Sequence, residues 1–214
     1  MGKGEQTRMA VLTQAAEVAA RQGLGALTIG DLAARTHLSK SGLFAHFHSK
    51  EALQLDVLAY ARDRFVDEVI RPATHTSRGL ARVRALFEHW AEIGAHGKAE
   101  CLFTSAAMEF DDQPGPVRDQ LVRDHRDLMD SIAQMFRTGI AEGEFRADAD
   151  PEQFAFELHG IMLAYFHAYR LLNDPRADER ARRAFEAALA DCLVAPQEQT
   201  QQTPDATPAA AQAR

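Results

Sequence analysis

The sequence predicts an all-α protein of about nine helices, on three observations. Apolar residues recur at i, i+3, i+4 spacing almost throughout, sustained two-residue alternation is absent, and Gly, Pro and short polar residues punctuate the chain where helices should start and stop. At 214 residues and 46% apolar content the chain has enough material for a buried core. No apolar run approaches a membrane span, and the opening MGKGEQTR is too short and polar for a secretory signal. The expectation is a cytoplasmic protein with no membrane partner. Cys101 and Cys192 lack any CxxC or zinc-ligand spacing, so both read as core thiols.

The first helix is expected from Thr7 to Gln22, where Leu12, Ala15, Ala16 and Ala19 form one stripe and Gly23 supplies the stop. Thr28 opens a short helix, with Asp31 three residues on as in a capping box and Ile29, Leu32 and Ala33 facing inward. It should end near Thr36. His37-Leu38 makes a turn, Ser39 is an N-cap, and Lys40 to Ala45 make a second short helix with Leu43 inward and Phe47 just beyond. Two short helices across a tight turn fit a helix-turn-helix, whose second helix enters the major groove by its N-terminal end.

Charge supports that reading. The whole chain carries −7, but residues 1–50 hold six Lys and Arg against three Asp and Glu, so this piece is net +3 and the remainder −10. A basic end on an acidic body suits a protein that meets phosphates at one end only. Lys40 can reach a guanine edge or a phosphate, Ser41 can pair with either kind of acceptor, and Gly42 allows close backbone approach. Phe44, His46 and Lys50 follow. Ser49 is the expected cap of the next helix, whose free N–H groups beside Lys50 would clamp a phosphate. His46 and His48 lack a third partner for a metal site, so no metal is expected.

The segment resembles the amino-terminal domain of TetR-family transcriptional regulators. The resemblance rests on Thr28, Asp31-Leu32-Ala33, Leu38-Ser39-Lys40-Ser41-Gly42, Leu43-Phe44-Ala45-His46-Phe47 and Ser49-Lys50-Glu51-Ala52-Leu53, and spans roughly residues 8 to 55. It implies DNA contact by Thr28, Ser39, Lys40, Ser41, Gly42, Phe44, His46 and Lys50. Two positions depart from the family pattern: His37 stands where Gly is usual, and Phe44 replaces a Tyr whose hydroxyl commonly bonds a phosphate.

A fourth helix from about Ser49 to Ile70, ended by Arg71-Pro72, should link this head to the body. Further helices are expected over Gly79 to Ala95, Cys101 to Phe110 and Pro116 to Glu142, the last with Val117, Leu121, Leu128, Ile132, Met135 and Phe136 on one side. The run LFTSAAMEFDDQPGPVRD resembles a carboxy-terminal segment of one TetR subgroup. Asp150-Pro151 and Asp174-Pro175 read as paired helix starts. Between them, Phe154, Leu158, Ile161, Tyr165 and Tyr169 form one stripe and Phe156, Gly160, Leu163, His167 and Leu171 another, so this helix needs burial on two sides. The last helix adds a stripe containing Phe185 and Leu189. The resemblance implies that these two helices pair with their copies in a homodimer. The organisation expected is a DNA-binding domain at 1–50, a helical effector-binding and dimerisation domain at 51–194, and a disordered tail at 195–214 rich in Gln, Pro, Ala and Thr.

Phe87, Trp90, Phe103, Met108, Met129, Phe136, Met162, Tyr165 and Phe166 are candidate walls for a small-molecule cavity, with His89, His125, Glu109 and Tyr165 as polar handles. The same residues at the same spacing also serve as plain core. The expected function is a homodimeric repressor that binds a palindromic operator in double-stranded DNA and is released by an apolar or aromatic effector. No cofactor is expected. An enzyme using Cys101 and His125, and a DNA-binding protein without an effector, are the alternatives.

Overall fold

The computed structural model describes residues 2–95 and 102–194. They form ten α-helices and no strand, apart from one isolated bridge between Phe145 and Leu193. The expected tail at 195–214 lies outside the described residues, as does Cys101.

Helix α1 (Lys3–Gln22) begins four residues before the expected start and stops at Gly23, whose φ of 96° no β-carbon-bearing residue adopts easily. Helices α2 (Ile29–Thr36) and α3 (Lys40–Phe47) are each capped by the predicted residue: Thr28 Oγ1 accepts from Asp31 N–H and Ser39 Oγ from Gly42 N–H. Ser49 caps the next helix in the same way, through Ala52 N–H.

That next helix corrects one expectation. Helix α4 (Lys50–Phe65) runs through a π-helical turn (Val66–Ile70) straight into α5 (Arg71–His75), so Pro72 does not end it. In a regular helix the ring of Pro72 would collide with the carbonyl four residues back. The widened turn, closed by Arg71 N–H onto Val66 O, lies immediately before it and changes that register. The rod therefore reaches from the helix-turn-helix head into the body.

The body comprises α6 (Leu80–Ala95), α7 (Leu102–Phe110), α8 (Pro116–Ala141), α9 (Pro151–Phe166), which also continues through a π turn (His167–Leu171), and α10 (Ala177–Ala190). Asp150 caps α9 as predicted. Asp174-Pro175 does not start α10 directly. Asp174 instead holds a tight turn through Arg176 N–H and Ala177 N–H, and the helix begins after it.

Two cores result. One buries Leu12, Ala15, Leu27, Leu32, Leu43 and Phe47 of the head together with Leu53, Val57 and Ala61 of α4, Leu102, Ala106 and Phe110 of α7, and Val117 and Leu121 of α8. The other fills the body, with Phe87 stacked on Phe185 and Phe136 stacked on Phe145 and Phe154. Because α4, α7 and α8 contribute to the first core, head and body meet across a packed apolar seam rather than a linker. No helix among the described residues is long and apolar enough to cross a membrane.

Candidate functional site

The head projects the N-terminal end of α3. Ser39, Lys40 and Ser41 are exposed, with Ser39 Oγ 3.2 Å from Ser41 Oγ, while Leu43 and Phe47 on the opposite side anchor the helix in the core. Gly42 is half-buried, and a β-carbon there would meet Ser39 Oγ, so the glycine keeps the cap tight. Phe44 is 55% exposed, a large apolar ring facing outward beside the polar set. His46 is half-buried with its ring 6.2 Å from that of Phe47, and Thr28 is exposed and engaged as a cap. His37 adopts the left-handed conformation that the family's Gly would favour (φ 56°, ψ 25°). His48 also has positive φ, in a tight turn closed by Ser49 N–H onto Phe47 O.

At the start of α4 the N–H groups of Lys50 and Glu51 lack intrahelical acceptors. The Lys50 ammonium donates to Gly25 O, so part of its hydrogen-bonding capacity braces the turn between α1 and α2. That turn is held from three sides. Gln54 Nε2 donates to Leu24 O at 3.1 Å, and the carboxylate of Glu109 on α7 accepts from Leu24 N–H and Gly25 N–H, both at 2.8 Å. A β-carbon at Gly25 would collide with Glu109 Oε1. A further bond from the body reaches the head where Arg170, in the π turn that continues α9, donates to Ala20 O. Glu109 is thus a brace between body and head rather than a cavity handle.

A cavity of about 220 Å³ lies among α4, α6, α7, α8 and α9. Trp90, Phe103 and Phe166, three of the nine wall residues expected from sequence, line it. The others lie elsewhere for identifiable reasons. Phe87, Phe136 and Met162 are buried in the body core, where aromatic stacking or close packing uses their surface. Tyr165 is buried with its hydroxyl on Ala91 O, Met129 packs at the core margin, and Met108 is 67% exposed on α7. The remaining walls are not among the cavity residues expected from sequence: Phe65, Val66 and Ile70 from the rod, Leu128 and Ser131 from α8, Thr104 from α7, and the polar residues Arg62, Asp124, Asp127 and His159. His125, an expected handle, is present. One sequence signal for this site exists. The apolar stripe of α8 runs Leu121, Leu128, Ile132, and its missing step is filled by Asp124-His125.

Burial holds the pKa of His159 below the ordinary imidazole value, with the nearby His125 adding to the effect, and the two rings sit 6.0 Å apart. Burial likewise pushes the Cys192 thiol up, which disfavours the reactive thiolate. Among the described residues no cluster of three or more His, Cys, Asp or Glu could hold a metal.

The second stripe of α9 faces out. Phe156 and Leu171 are each 68% exposed, Gly160 and His167 are exposed, and Leu163 is half-buried. Phe185 and Leu189 do not join them. They turn inward to the body core, and the side of α10 beside α9 presents Ala184 and Ala188 to a shallow groove that also includes Gly160, Ile161 and Ala164.

Two family models match the chain: "Bacterial regulatory proteins, tetR family" over residues 11–57 and "Tetracyclin repressor-like, C-terminal domain" over 79–185. No curated protein matches. Among solved structures, a TetR transcriptional regulator from Chloroflexus aurantiacus is 25% identical with a TM-score of 0.82, covering 90% of this chain and 98% of that one. AibR in complex with isovaleryl coenzyme A and operator DNA is 22% identical (TM-score 0.69, covering 85% and 97%). The ketosteroid transcriptional regulator KstR2 of Mycobacterium tuberculosis is 22% identical (TM-score 0.66, covering 87% and 95%). With the helix-turn-helix head and the helical body both matched, the chain belongs to the TetR family of bacterial transcriptional regulators.

Proposed function

We propose that this regulator is a homodimeric repressor that binds a palindromic operator and releases it when a small molecule enters the body cavity. The observation that carries the reading is the rod of α4 and α5: its first turn adjoins the reading helix and its π turn contributes Val66 and Ile70 to the cavity wall. A ligand that favours one position of this rod changes the spacing of the two heads, and half-sites a helical turn apart no longer fit. The neighbour AibR, solved in complex with isovaleryl coenzyme A and operator DNA, supports a fold that takes both a small molecule and an operator.

In this reading Lys40, Ser41 and Gly42 face the base edges, and Ser39, Thr28, Phe44, His46 and Lys50 engage the sugar-phosphate backbone. The exposed stripe of Phe156, Gly160, Leu163, His167 and Leu171, with the small-residue groove beside it, supports pairing of α9 and α10 with their copies. Membership of a regulator family supports a binding role rather than catalysis, and the setting is the cytoplasm, where the operator is. Selection of bound DNA from a random pool at fixed salt tests the reading. A two-fold symmetric consensus is the expected result, and failure to enrich any sequence overturns it.

A further inference from the structure

The cavity's polar lining points to the chemistry of its ligand, an inference that rests on the cavity being the effector site. Asp124 is the key residue. Its side chain is 5% exposed, and Oδ1 accepts from Gln120 Nε2 at 2.8 Å and, at the long distance of 3.5 Å, from Arg62 on α4. Oδ2 is buried and has no partner among the described residues. A buried carboxylate oxygen without a donor is rare in folded proteins. Arg62 is shared with Asp63, to which it donates at 3.2 Å, so it neutralises Asp124 only in part.

The neighbouring groups are acceptors as well. His125 Nδ1 lies 2.8 Å from Leu121 O and must donate to it; whenever the ring is neutral, its other nitrogen is therefore an acceptor. Burial, and secondarily His125, disfavours the protonated form of His159, so it offers less positive charge here than an exposed imidazole would. Around these groups stand the aromatic surfaces of Trp90, Phe103 and Phe166, which attract a cation by their negative faces. The size fits one ring: an apolar cavity of about 150 Å³ takes benzene, and this one is about 220 Å³.

We propose that the effector is an aromatic amine of one ring and a short chain, its ammonium donating to Asp124 Oδ2 and its ring lying against Trp90 and Phe166. The ammonium then competes with Arg62 for the same carboxylate. Because Arg62 belongs to the rod and Asp124 to α8, binding loosens the polar tie between α4 and the body, which gives the ligand a direct hold on the head.

Trp90 is the sole tryptophan and reports the site directly. The full chain is titrated at pH 7.5 with 2-phenylethylamine, 2-phenylethanol, phenylacetate and ethylbenzene, following Trp90 emission. The amine should bind at least tenfold more tightly than the alcohol, and Asp124→Asn should remove that preference. Arg62→Gln, which deletes the competitor, should tighten the amine severalfold; it keeps the test in force if Asp124→Asn does not fold. Leu128→Phe, which fills the cavity, should abolish every response. Equal or tighter binding of the alcohol, ethylbenzene or phenylacetate overturns the amine proposal and leaves the effector cavity standing. No change in Trp90 emission with any of the four, up to their solubility, overturns both.

Discussion

Glu109 and Gly25 form a contact whose worth can be measured from either side. The Glu109 carboxylate accepts two backbone N–H groups at 2.8 Å, from Leu24, whose side chain is fully buried, and from Gly25. Hydrogen bonds to a charged group contribute about 1.5–3 kcal/mol each; because this site is only part-buried, Glu109→Ala should cost on the order of 2–3 kcal/mol for the pair. Gly25→Ala places a methyl where Glu109 Oε1 lies and displaces the flexible carboxylate without altering its charge. Its cost should be roughly 1.5–2.5 kcal/mol. Since both changes break the same contact, the double variant should lose little more than the worse single one, a coupling of about 1.5–2 kcal/mol. Urea unfolding of the full chain, followed by circular dichroism at one fixed protein concentration, gives all three values from the shift in midpoint at unchanged slope. Additive losses, or a Glu109→Ala cost below about 0.5 kcal/mol, would refute the bracing role.

Other expectations concern single sites. His37→Gly relieves a left-handed residue worth about 1–2 kcal/mol but frees the unfolded chain by about 0.4–1 kcal/mol, so a net gain of roughly 0.5–1 kcal/mol is expected in the same unfolding assay. Lys50→Ala should reduce the slope of log affinity against log salt by about 0.9 for any DNA sequence and also lower the melting temperature, because the Gly25 carbonyl loses its donor; an unchanged slope removes the phosphate role. His159 takes up its proton less readily in the folded chain than in the unfolded one, so stability present near pH 7 should fall as pH drops below the unfolded imidazole value of about 6.5. His159→Gln should flatten that segment of the pH profile, and an identical profile in the variant would assign the loss to other groups. In the proposed homodimer, Phe156→Asp should shift sedimentation from dimer to monomer while leaving the helical content intact; a persistent dimer would move the interface elsewhere, and a monomeric parent protein would remove the proposed pairing.

What was legible in the sequence was local. Thr28, Ser39 and Ser49 cap the helices they precede because capping depends on residues within one turn, and the resemblance over residues 8 to 55 is built from those same positions. The reading failed where a local rule met a tertiary remedy. Pro72 is a helix breaker by its own chemistry, and only the π turn before it explains why the rod continues. Phe185 and Leu189 show a second limit. Their spacing declares that they are buried, but an apolar stripe carries no sign of whether its partner is the same chain or another. The cavity was least legible, since Arg62, Asp124 and His159 come from three helices far apart in sequence. Trp90, Phe103, Phe166 and His125 are expected from sequence, and the polar interruption at Asp124-His125 is the one further signal.

The π turn at Val66–Ile70 sets a phase as well as a length. Each residue of an α-helix turns the chain by about 100°, and a π turn accommodates roughly one residue beyond the regular count. The sequence register of the rod is therefore shifted by one residue across the turn while its faces stay aligned, like a splice that keeps two gears in step on one shaft. Removing one residue there would let the helix close regularly with the faces on either side still aligned, whereas removing one from the regular stretch of α4 would swing the head by about 100° against the body. The π turn along the cavity wall is thus the one place on the rod where a residue can be lost without turning the head.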